Sequence, residues 1–563
     1  MPNRWDLVAL PLTLGLLALL AEGARQMAVP FTLGQEMHIT LDPAILPWYA
    51  VRTTLRMLVA LAASLLFSIC YATLAAKNRR AGLILVPMLD VLQSVPVLGY
   101  ISFTVTGFIA LIPGSLLGVE AAAIFAIFTS QAWNITFSLY QALRTVPHDL
   151  REAATVFRLT SWQRFWRLEL PFALPGLIWN AMVSMSGGWF FVIASEAITV
   201  GNAQITLPGV GSYIALAVSQ QNLRAVGYAV LTMLVVIVLY DQFMFRPLVA
   251  WSNRFRSDQS PSDLAPQSWA LRVYQRARLL RIVVRPLMRI FTLGLKARLP
   301  ERTWMVRAAP RWSVPTPVLD WSWYGLLGVT ATALVVWAAL HVHGALGWPE
   351  VARVVLLGLV TAVRVVLLTC LAALIWVPVG VFVGLRPRLA EQVQPLAQFL
   401  AAFPANVVFP FVVPLILTYR LNPDIWLSPL LILGAQWYIL FNVIAGASVF
   451  PVELRDAWAS LNVRGLLWWT RLILPGVFPY LLTGAITASG GAWNASIVAE
   501  IVNWGDTTVA ATGLGTYVAQ ATRAGDYDRI ALGVGVMVVY VIVLNRLLWR
   551  PLYALTERRL RLD

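Results

Sequence analysis

The sequence predicts an all-α membrane protein with about 12 transmembrane helices, arranged as two tandem six-helix units. Three observations support this fold class. Of the 563 residues, 59% are hydrophobic and only 12% are charged, whereas soluble chains carry about 25% charged residues. Apolar segments of roughly 20 residues, long enough to cross a bilayer as helices, recur along the chain. Finally, the second half of the sequence repeats the first.

The apolar segments form six predicted spans in each half. In the first half they cover roughly residues 7–22, 54–76, 83–110, 117–140, 172–198 and 225–246. In the second half they cover roughly residues 323–342, 354–384, 396–418, 427–449, 477–502 and 530–549. With both termini in the cytoplasm, the basic clusters all fall in cytoplasmic loops. This topology accounts for the net charge of +16, so we predict a multi-pass protein of the bacterial inner membrane that contacts lipid and no nucleic acid.

The internal repeat is clearest in the later part of each half. Residues 151–198 align without a gap on residues 455–502, and prolines, a tryptophan and an intramembrane glutamate stay in step. The glutamates are Glu196 and Glu500. Because each unit has an even number of spans, both units face the same way, and we expect a pseudo-twofold axis along the membrane normal.

The repeat divides the chain into a first unit at 1–250, a basic cytoplasmic linker at 251–320 and a second unit at 321–563. Within the linker, residues 271–299 place arginines among leucine, isoleucine and valine, with a break at Pro286. This pattern favours an amphipathic helix on the anionic inner leaflet. A helix that docks onto a partner protein is the alternative.

A cytoplasmic loop follows the fourth span of each unit, and the two loops share a pattern. An acidic residue and small residues come first, and a hydrophobic-x-hydrophobic-Pro ending follows. The candidate contact residues are Glu152, Ala153, Ala154, Arg158, Leu168, Pro171, Asp456, Ala457, Asn462, Leu472 and Pro475. Each loop is long enough for two short helices joined by a turn, and the small residues permit close packing against another protein. An ordinary interfacial loop is the alternative, but two copies in equivalent places argue against it.

This pattern resembles the EAA loop of binding-protein-dependent transport permeases, which reads Glu-Ala-Ala, three residues, Gly, nine residues and a proline ending. In that family the loop holds the helix that docks into a cleft of the ATPase subunit. The first loop has Arg158 where the family has glycine. The second loop has Asp456 for the glutamate, Trp458 for the second alanine and Asn462 for the glycine. The resemblance implies an ATPase-coupling role for both loops, with turns that differ from the family pattern.

Segments 170–176, 187–189 and 194–196, with their counterparts in the second unit, resemble the nitrate/sulfonate/taurine branch of these permeases. The duplication within one chain is similar to the anion-transport permeases. The resemblance implies the membrane permease of an ATP-driven importer that moves a small anion of the nitrate, sulfonate, taurine or bicarbonate type inward. It also implies two ABC ATPase subunits, which would bind ATP and Mg²⁺, and a periplasmic substrate-binding protein.

The chain itself is not expected to be an enzyme. Its only lysines, Lys77 and Lys296, do not lie in a G-x-x-x-x-G-K-[ST] phosphate loop. The histidines and the two cysteines form no cluster with metal-ligand spacing. We therefore expect no cofactor and no metal on this chain, with ATP hydrolysis on a separate subunit.

Polar and small residues inside the spans are candidates for the translocation pathway. They are Gln93, Ser94, Ser186, Gly187, Gly188, Glu196, Ser489, Gly490, Gly491 and Glu500. The small residues either allow close helix packing or loosen the helix and expose backbone groups. The two glutamates either shape a gate or reach water or a capping partner near the outer end. Arg56 and Arg364 in the second spans either attract anions or snorkel to the membrane surface.

A secondary transporter driven by an ion gradient is the alternative function, because such proteins also use parallel repeats. A buried acid–base relay at the midplane would be typical of that class. Glu196 and Glu500 are the only symmetric candidates for it, and their positions in the sequence indicate the ends of spans.

The predicted topology can be tested by cysteine labelling in a variant without native cysteines. Single cysteines at positions 160 and 464 should react with a membrane-impermeant reagent only from the cytoplasmic side. Cysteines at positions 203 and 507 should react from the outside. The opposite accessibility would overturn the orientation and the proposed role of the two loops.

Overall fold

The structure is a computed structural model. It describes residues 6–27, 29–30, 37–93, 95, 97–99, 101–200, 203–255, 268–277, 316–448, 450, 460–461 and 465–559. These residues form long apolar helices and two short β-hairpins. Within them, seven helices are long and apolar enough to cross a membrane, or eight if one bent pair counts as a single span. The predicted all-α membrane architecture is confirmed.

The first half begins with a long helix and ends with a long helix that reaches the linker. Its helices are α1 (Asp6–Met27), α2 (Leu46–Lys77), α3 (Arg79–Leu92), α4 (Ile101–Leu111), α5 (Leu117–Arg144), α6 (His148–Val156), α7 (Ser161–Glu196), α8 (Val210–Ser219) and α9 (Leu223–Ser252). A hairpin of β1 (Ala197–Val200) and β2 (Ala203–Thr206) separates α7 from α8. The described part of the linker forms α10 (Trp269–Arg276).

The second half follows the same order. Its helices are α11 (Thr316–Gly384), α12 (Pro387–Ala402), α13 (Phe409–Thr418), α14 (Pro423–Ile432), α15 (Gln436–Ser448), α16 (Leu466–Ala499), α17 (Leu514–Ala524) and α18 (Tyr527–Leu555). A second hairpin, β3 (Ile501–Trp504) and β4 (Thr507–Ala510), lies between α16 and α17. A break at Gly347, where φ is 76°, divides α11 into its two predicted spans.

The third predicted span of each half is not one continuous helix. The span at 83–110 divides into α3 and α4 around a 3₁₀ turn at Val97–Gly99. The span at 396–418 divides into α12 and α13 around a 3₁₀ turn at Ala405–Val408, which Pro404 precedes. Proline has no amide hydrogen and disfavours a helical residue before it, so it ends a helix here. The fourth span of the second half is also bent, by 43° between α14 and α15.

Each of these 3₁₀ turns contacts the opposite half of the protein. The Val97 amide donates to Asn494 Oδ1 in α16 at 2.9 Å. The Asn406 side-chain amide donates to the Phe190 carbonyl in α7 at 3.3 Å. Phe190 and Asn494 occupy corresponding positions in the repeat alignment. The third span of each half therefore contacts the same position in the fifth-span helix of the other half. A buried apolar cluster that includes Val97, Val413 and other residues of both halves surrounds this interface.

The two hairpins were not predicted from the sequence. The predicted fifth spans run to 198 and 502, whereas the helices end at Glu196 and Ala499 and the chain then turns into strands. β-branched residues in both segments favour an extended backbone. In the second hairpin, Gly505 donates to a carbonyl of α8 in the first half at 3.2 Å. The hairpins therefore add to the contact between the halves.

The described start of the linker packs against the first unit. Trp269 Nε1 donates to Gln242 Oε1 at 3.2 Å, and the Trp269 ring meets the Phe243 ring with centroids 5.2 Å apart. Ala270 is buried in the same contact. Most of the predicted amphipathic segment at 271–299 lies outside the described residues, so its role at the lipid surface or a partner stays a prediction.

Candidate functional site

The first of the two loops predicted to be cytoplasmic, residues 145–169, forms a helix, a tight turn and the start of a second helix. The helix α6 ends in a Schellman arrangement, in which Leu159 donates to the Ala154 carbonyl and Arg158 donates to the Thr155 carbonyl. Arg158 adopts a left-handed conformation with φ of 49°. The position where the permease family has glycine thus keeps a glycine-like backbone. Thr160 then starts α7 with a capping box.

The structure places the candidate residues of this loop on different faces. Glu152 is exposed on α6, where its carboxylate lies 3.2 Å from His148 Nδ1. Ala153 is partly buried, and Ala154 is buried. Leu168 and Pro171 are partly buried within α7, which runs from the loop into the membrane without a break.

The second loop predicted to be cytoplasmic is only partly described. Asp456, Ala457 and Asn462 lie outside the described residues, and their contact role stays a prediction. Leu472 is buried, and Pro475 is partly buried in the first turn of the membrane part of α16.

A buried network of charges joins α2, α5 and α7 in the first unit. We call Arg52, Thr53, Arg56, Glu120 and Glu196 the first charge network. Arg56 Nε and Nη2 bind both carboxylate oxygens of Glu120 at 2.6 and 2.8 Å, and Arg56 Nη1 binds Glu196 Oε1 at 2.6 Å. Arg52 Nη2 adds a contact of 3.0 Å to Glu120. The Arg56 side chain is 0% exposed, so each charge is neutralised by a partner inside the protein.

The second unit contains a similar but less buried arrangement. We call Thr361, Arg364, Asp424 and Glu500 the second charge network. Arg364 Nη1 binds Glu500 Oε1 at 2.8 Å, and Arg364 Nη2 lies 3.4 Å from Asp424 Oδ1. The Glu500 side chain is 0% exposed, whereas that of Asp424 is 46% exposed. In the repeat alignment that pairs Arg56 with Arg364, Arg52 corresponds to Val360. The second charge network therefore has one arginine fewer than the first.

In both networks the glutamate also holds the start of the short helix that follows the hairpin. Glu196 Oε2 accepts the Gly211 amide at 2.6 Å, and Glu500 Oε2 accepts the Gly515 amide at 2.7 Å. An added Cβ at Gly209 or Gly513 would collide with the carboxylate, which explains glycine at both positions. A negative charge at a helix N-terminus is favourable. The two glutamates therefore each cap a helix, as one of the two sequence interpretations expected. Both carboxylates are shielded from water.

Snorkelling is a wrong interpretation for Arg56, because its guanidinium points into the protein and is fully buried. Sequence reasoning also missed Glu120 and Asp424. A signal was present: both are acids at the start of the fourth spans, and the repeat register aligns them. Arg52 has no counterpart, so the repeat could not have revealed it.

Some of the candidate pathway residues meet at a cavity between the two halves. The cavity has room of about 80 Å³ for water-sized molecules, and Ser186, Gly187 and Gly491 line it. The other lining residues are aromatic, aliphatic or small, among them Phe190, Phe191, Phe403, Leu431 and Tyr438. Among the described residues, no charged side chain lines this cavity. Glu196 and Glu500 are not part of its lining.

The remaining candidates lie elsewhere. Gly188 packs within the first unit, where an added Cβ would lie 2.9 Å from Gln131 Nε2. Ser489 is buried, and the Gly490 carbonyl accepts a hydrogen bond from Asn494. Gln93 is exposed, and Ser94 lies outside the described residues. Both α7 and α16 stay helical through their glycines. An added Cβ at Gly188 or Gly491 would lie less than 3 Å from a neighbouring atom, which supports close packing at these two positions. A role of these residues in a pathway stays a prediction.

Arg158 can be tested through its left-handed backbone. Arg158→Gly should raise the free energy of unfolding by up to about 1 kcal/mol, because glycine adopts this conformation without steric cost. Arg158→Val should lower it, because a β-branched residue is disfavoured there. Thermal unfolding of the purified chain in detergent measures both changes, and equal midpoints for the two variants would contradict this geometry.

The two charge networks predict unequal effects of matched substitutions. Glu120→Gln leaves two buried arginines with one acid and should cost about 3–5 kcal/mol, as expected when one partner of a buried pair is removed. Asp424→Asn, at the equivalent exposed position, should cost about 0–1 kcal/mol. Thermal unfolding in detergent again provides the comparison. A larger loss from Asp424→Asn would show that the second network is the more tightly packed one.

Comparison with known proteins gives a family and several relatives. Residues 64–245 and 376–562 both match the family described as binding-protein-dependent transport system inner membrane component. A bicarbonate transport system permease protein of Synechococcus elongatus is 25% identical over 208 residues, which cover 37% of this chain and 68% of that protein.

Two further relatives are named for the transport of other solutes, nitrate and taurine. A nitrate import permease protein of Synechocystis is 24% identical over 158 residues, 28% of this chain and 52% of that protein. A taurine transport system permease protein of Escherichia coli is 26% identical over 190 residues, 32% of this chain and 62% of that protein.

The family match occurs once in each repeat, which confirms the tandem arrangement and the resemblance seen in the two loops. The apolar helices agree with a location in the inner membrane. This chain therefore belongs to the family of binding-protein-dependent transport system inner membrane components, and it carries two permease units of that family in tandem.

Proposed function

We propose that this chain forms both membrane halves of an ATP-driven importer and moves a small anion inward. The observation that carries the proposal is the surface of the first cytoplasmic loop. At the end of α6, Val156 and Phe157 are 78% and 75% exposed, next to the exposed carboxylate of Glu152. The predicted topology places these side chains in the cytoplasm. An exposed apolar pair beside a charge is typical of a protein-docking surface, and an ABC ATPase subunit is the partner that we propose.

The second loop would dock a second ATPase subunit, so that two subunits bind ATP and Mg²⁺ beneath one membrane chain. The continuous helix α7 supports such a transmission, because it leads from Thr160 at the loop to Glu196 near the opposite end. The equivalent helix α16 leads from the second loop to the second charge network. Movements at the docking surfaces would thereby reach the interface between the halves.

The anion is proposed from the relatives and from the cavity. Relatives named for bicarbonate, nitrate and taurine transport point to solutes with a carbonate, nitrate or sulfonate group. The small cavity between the halves suits a solute of this size. Without a fixed cation in its described lining, the cavity would hold an anion weakly, and weak binding favours passage over retention. A periplasmic binding protein would then supply selectivity and deliver the solute.

A secondary transporter is less well supported. Its relay would need carboxylates that exchange protons with a base. Glu196 and Glu500 instead face Arg56 and Arg364, and a guanidinium does not release its proton in proteins. Their contacts therefore fit a structural ion pair that holds helices together.

The experiment combines copurification, hydrolysis and uptake. The chain alone should hydrolyse no ATP, because it lacks a phosphate loop. The chain with an ATPase subunit of the same transport system should copurify with it, hydrolyse ATP and take up solute in vesicles. Glu152→Lys and Asp456→Lys should each impair uptake, and by different amounts, because the two loops differ in sequence.

Glu22→Lys provides the matched control, because Glu22 is a partly exposed acid that the predicted topology places on the outer side. It should leave copurification and uptake unchanged. Robust hydrolysis by the chain alone would refute the proposal. Intact copurification and uptake in both loop variants would show that the loops do not couple ATP to transport, and would favour the secondary transporter.

A further inference from the structure

The helices α2 and α7 of the first unit are joined by an ion pair near each end of their predicted membrane-spanning parts. At one end Arg56 Nη1 binds Glu196 Oε1 at 2.6 Å. At the other end Lys77 Nζ lies 2.7 Å from Glu169 Oε2. At 1.5 Å per residue, Arg56 and Lys77 are about 32 Å apart along α2, close to the thickness of the hydrocarbon core. The two pairs therefore fasten the same two helices near opposite membrane surfaces.

The pair at the cytoplasmic end is part of a small cluster. Arg164 Nε lies 3.2 Å from Glu169 Oε1, and Lys77 Nζ lies 5.1 Å from the centre of the Phe165 ring. The Glu169 side chain is 12% exposed and that of Lys77 is 32% exposed, so water screens the pair only in part. Glu169 stands where α7 leaves the first cytoplasmic loop. This cluster thus attaches the end of α2 to the segment that would move with a docked ATPase.

The second unit keeps only the outer pair. Arg364 still binds Glu500 at 2.8 Å. In the repeat alignment, however, Lys77 corresponds to Leu385, and Glu169 corresponds to Ile473, which is buried. The neighbouring Arg386, between α11 and α12, donates to the carbonyl of Phe382 near the end of α11 at 2.8 Å. Neither Leu385 nor Ile473 can form an ion pair, so the cytoplasmic ends of α11 and α16 lack this attachment.

We infer that Lys77 and Glu169 are positioning residues that make α2 and α7 one rigid lever between the first cytoplasmic loop and the outer end of the first unit. The inference rests on the proposed function, because it assumes that an ATPase moves this loop. A helix pair held at one end can splay at the other, whereas a pair held at both ends moves together. The first unit therefore transmits loop movement to the first charge network more tightly than the second unit transmits it to the second.

The test replaces the pair with the residues of the second unit. In the chain assembled with its ATPase subunits in vesicles, Glu169→Ile and Lys77→Leu should each lower the amount of solute moved per ATP hydrolysed by about fivefold, the lower range of coupling between sites. Copurification and basal hydrolysis should persist. The double variant should be no worse than Glu169→Ile alone, because that change already removes the contact with Lys77. Lys77→Arg, which keeps the charge, should restore the wild-type ratio.

Glu22→Ile is the control, because it removes an exposed pair with Arg25 that joins no helices. It should leave the ratio unchanged. If Glu169→Ile does not fold, the more exposed Lys77→Leu decides the result. A wild-type ratio in Lys77→Leu would overturn the lever while leaving ATP-driven import intact. Failure of the wild-type chain to bind an ATPase or import solute would instead refute the proposed function.

Discussion

An arginine inside an apolar helix must be neutralised by an acid beside it, and this constraint determines how helices are joined around Glu196 and Glu500 in the two units. Arg56 and Arg364 each bind a glutamate at the end of a fifth-span helix. The same glutamates accept amide hydrogens of the helices that follow the hairpins. Because an unpaired buried charge is costly, span two, span five and the outer short helix are held in one arrangement in each half.

Much of the fold could be predicted from the sequence, because long apolar segments in lipid have to be helical. The hairpins could not, since four-residue strands next to an apolar helix leave no periodicity of their own. In the broken third spans Pro404 was a local signal for one break. The contact of Val97 with Asn494 joins residues 397 positions apart and leaves no local signal. Repeat registers reveal what the halves share, so they miss a residue such as Arg52 that only one half contains.

The interface between the halves combines two kinds of contact. The 3₁₀ turns of the third spans bind the fifth-span helix of the opposite half, as Asn406 does with Phe190. Glycines at the same level, such as Gly187 beside Tyr438, leave the small cavity open. Close packing around an uncharged cavity would suit the solute path that we propose, and the charges lie in the two networks, where they hold helices together.

The presence of both units in one chain has a genetic consequence. In a transporter made of two identical subunits, a mutation in the gene changes the same residue in both subunits. One half therefore cannot be altered without the other. Here Arg52 of the first unit corresponds to Val360 of the second in the repeat alignment, and Glu169 corresponds to Ile473. The two copies have therefore diverged in sequence. A single gene can therefore assign different mechanical tasks to its two halves, and one point mutation is enough to examine each half separately.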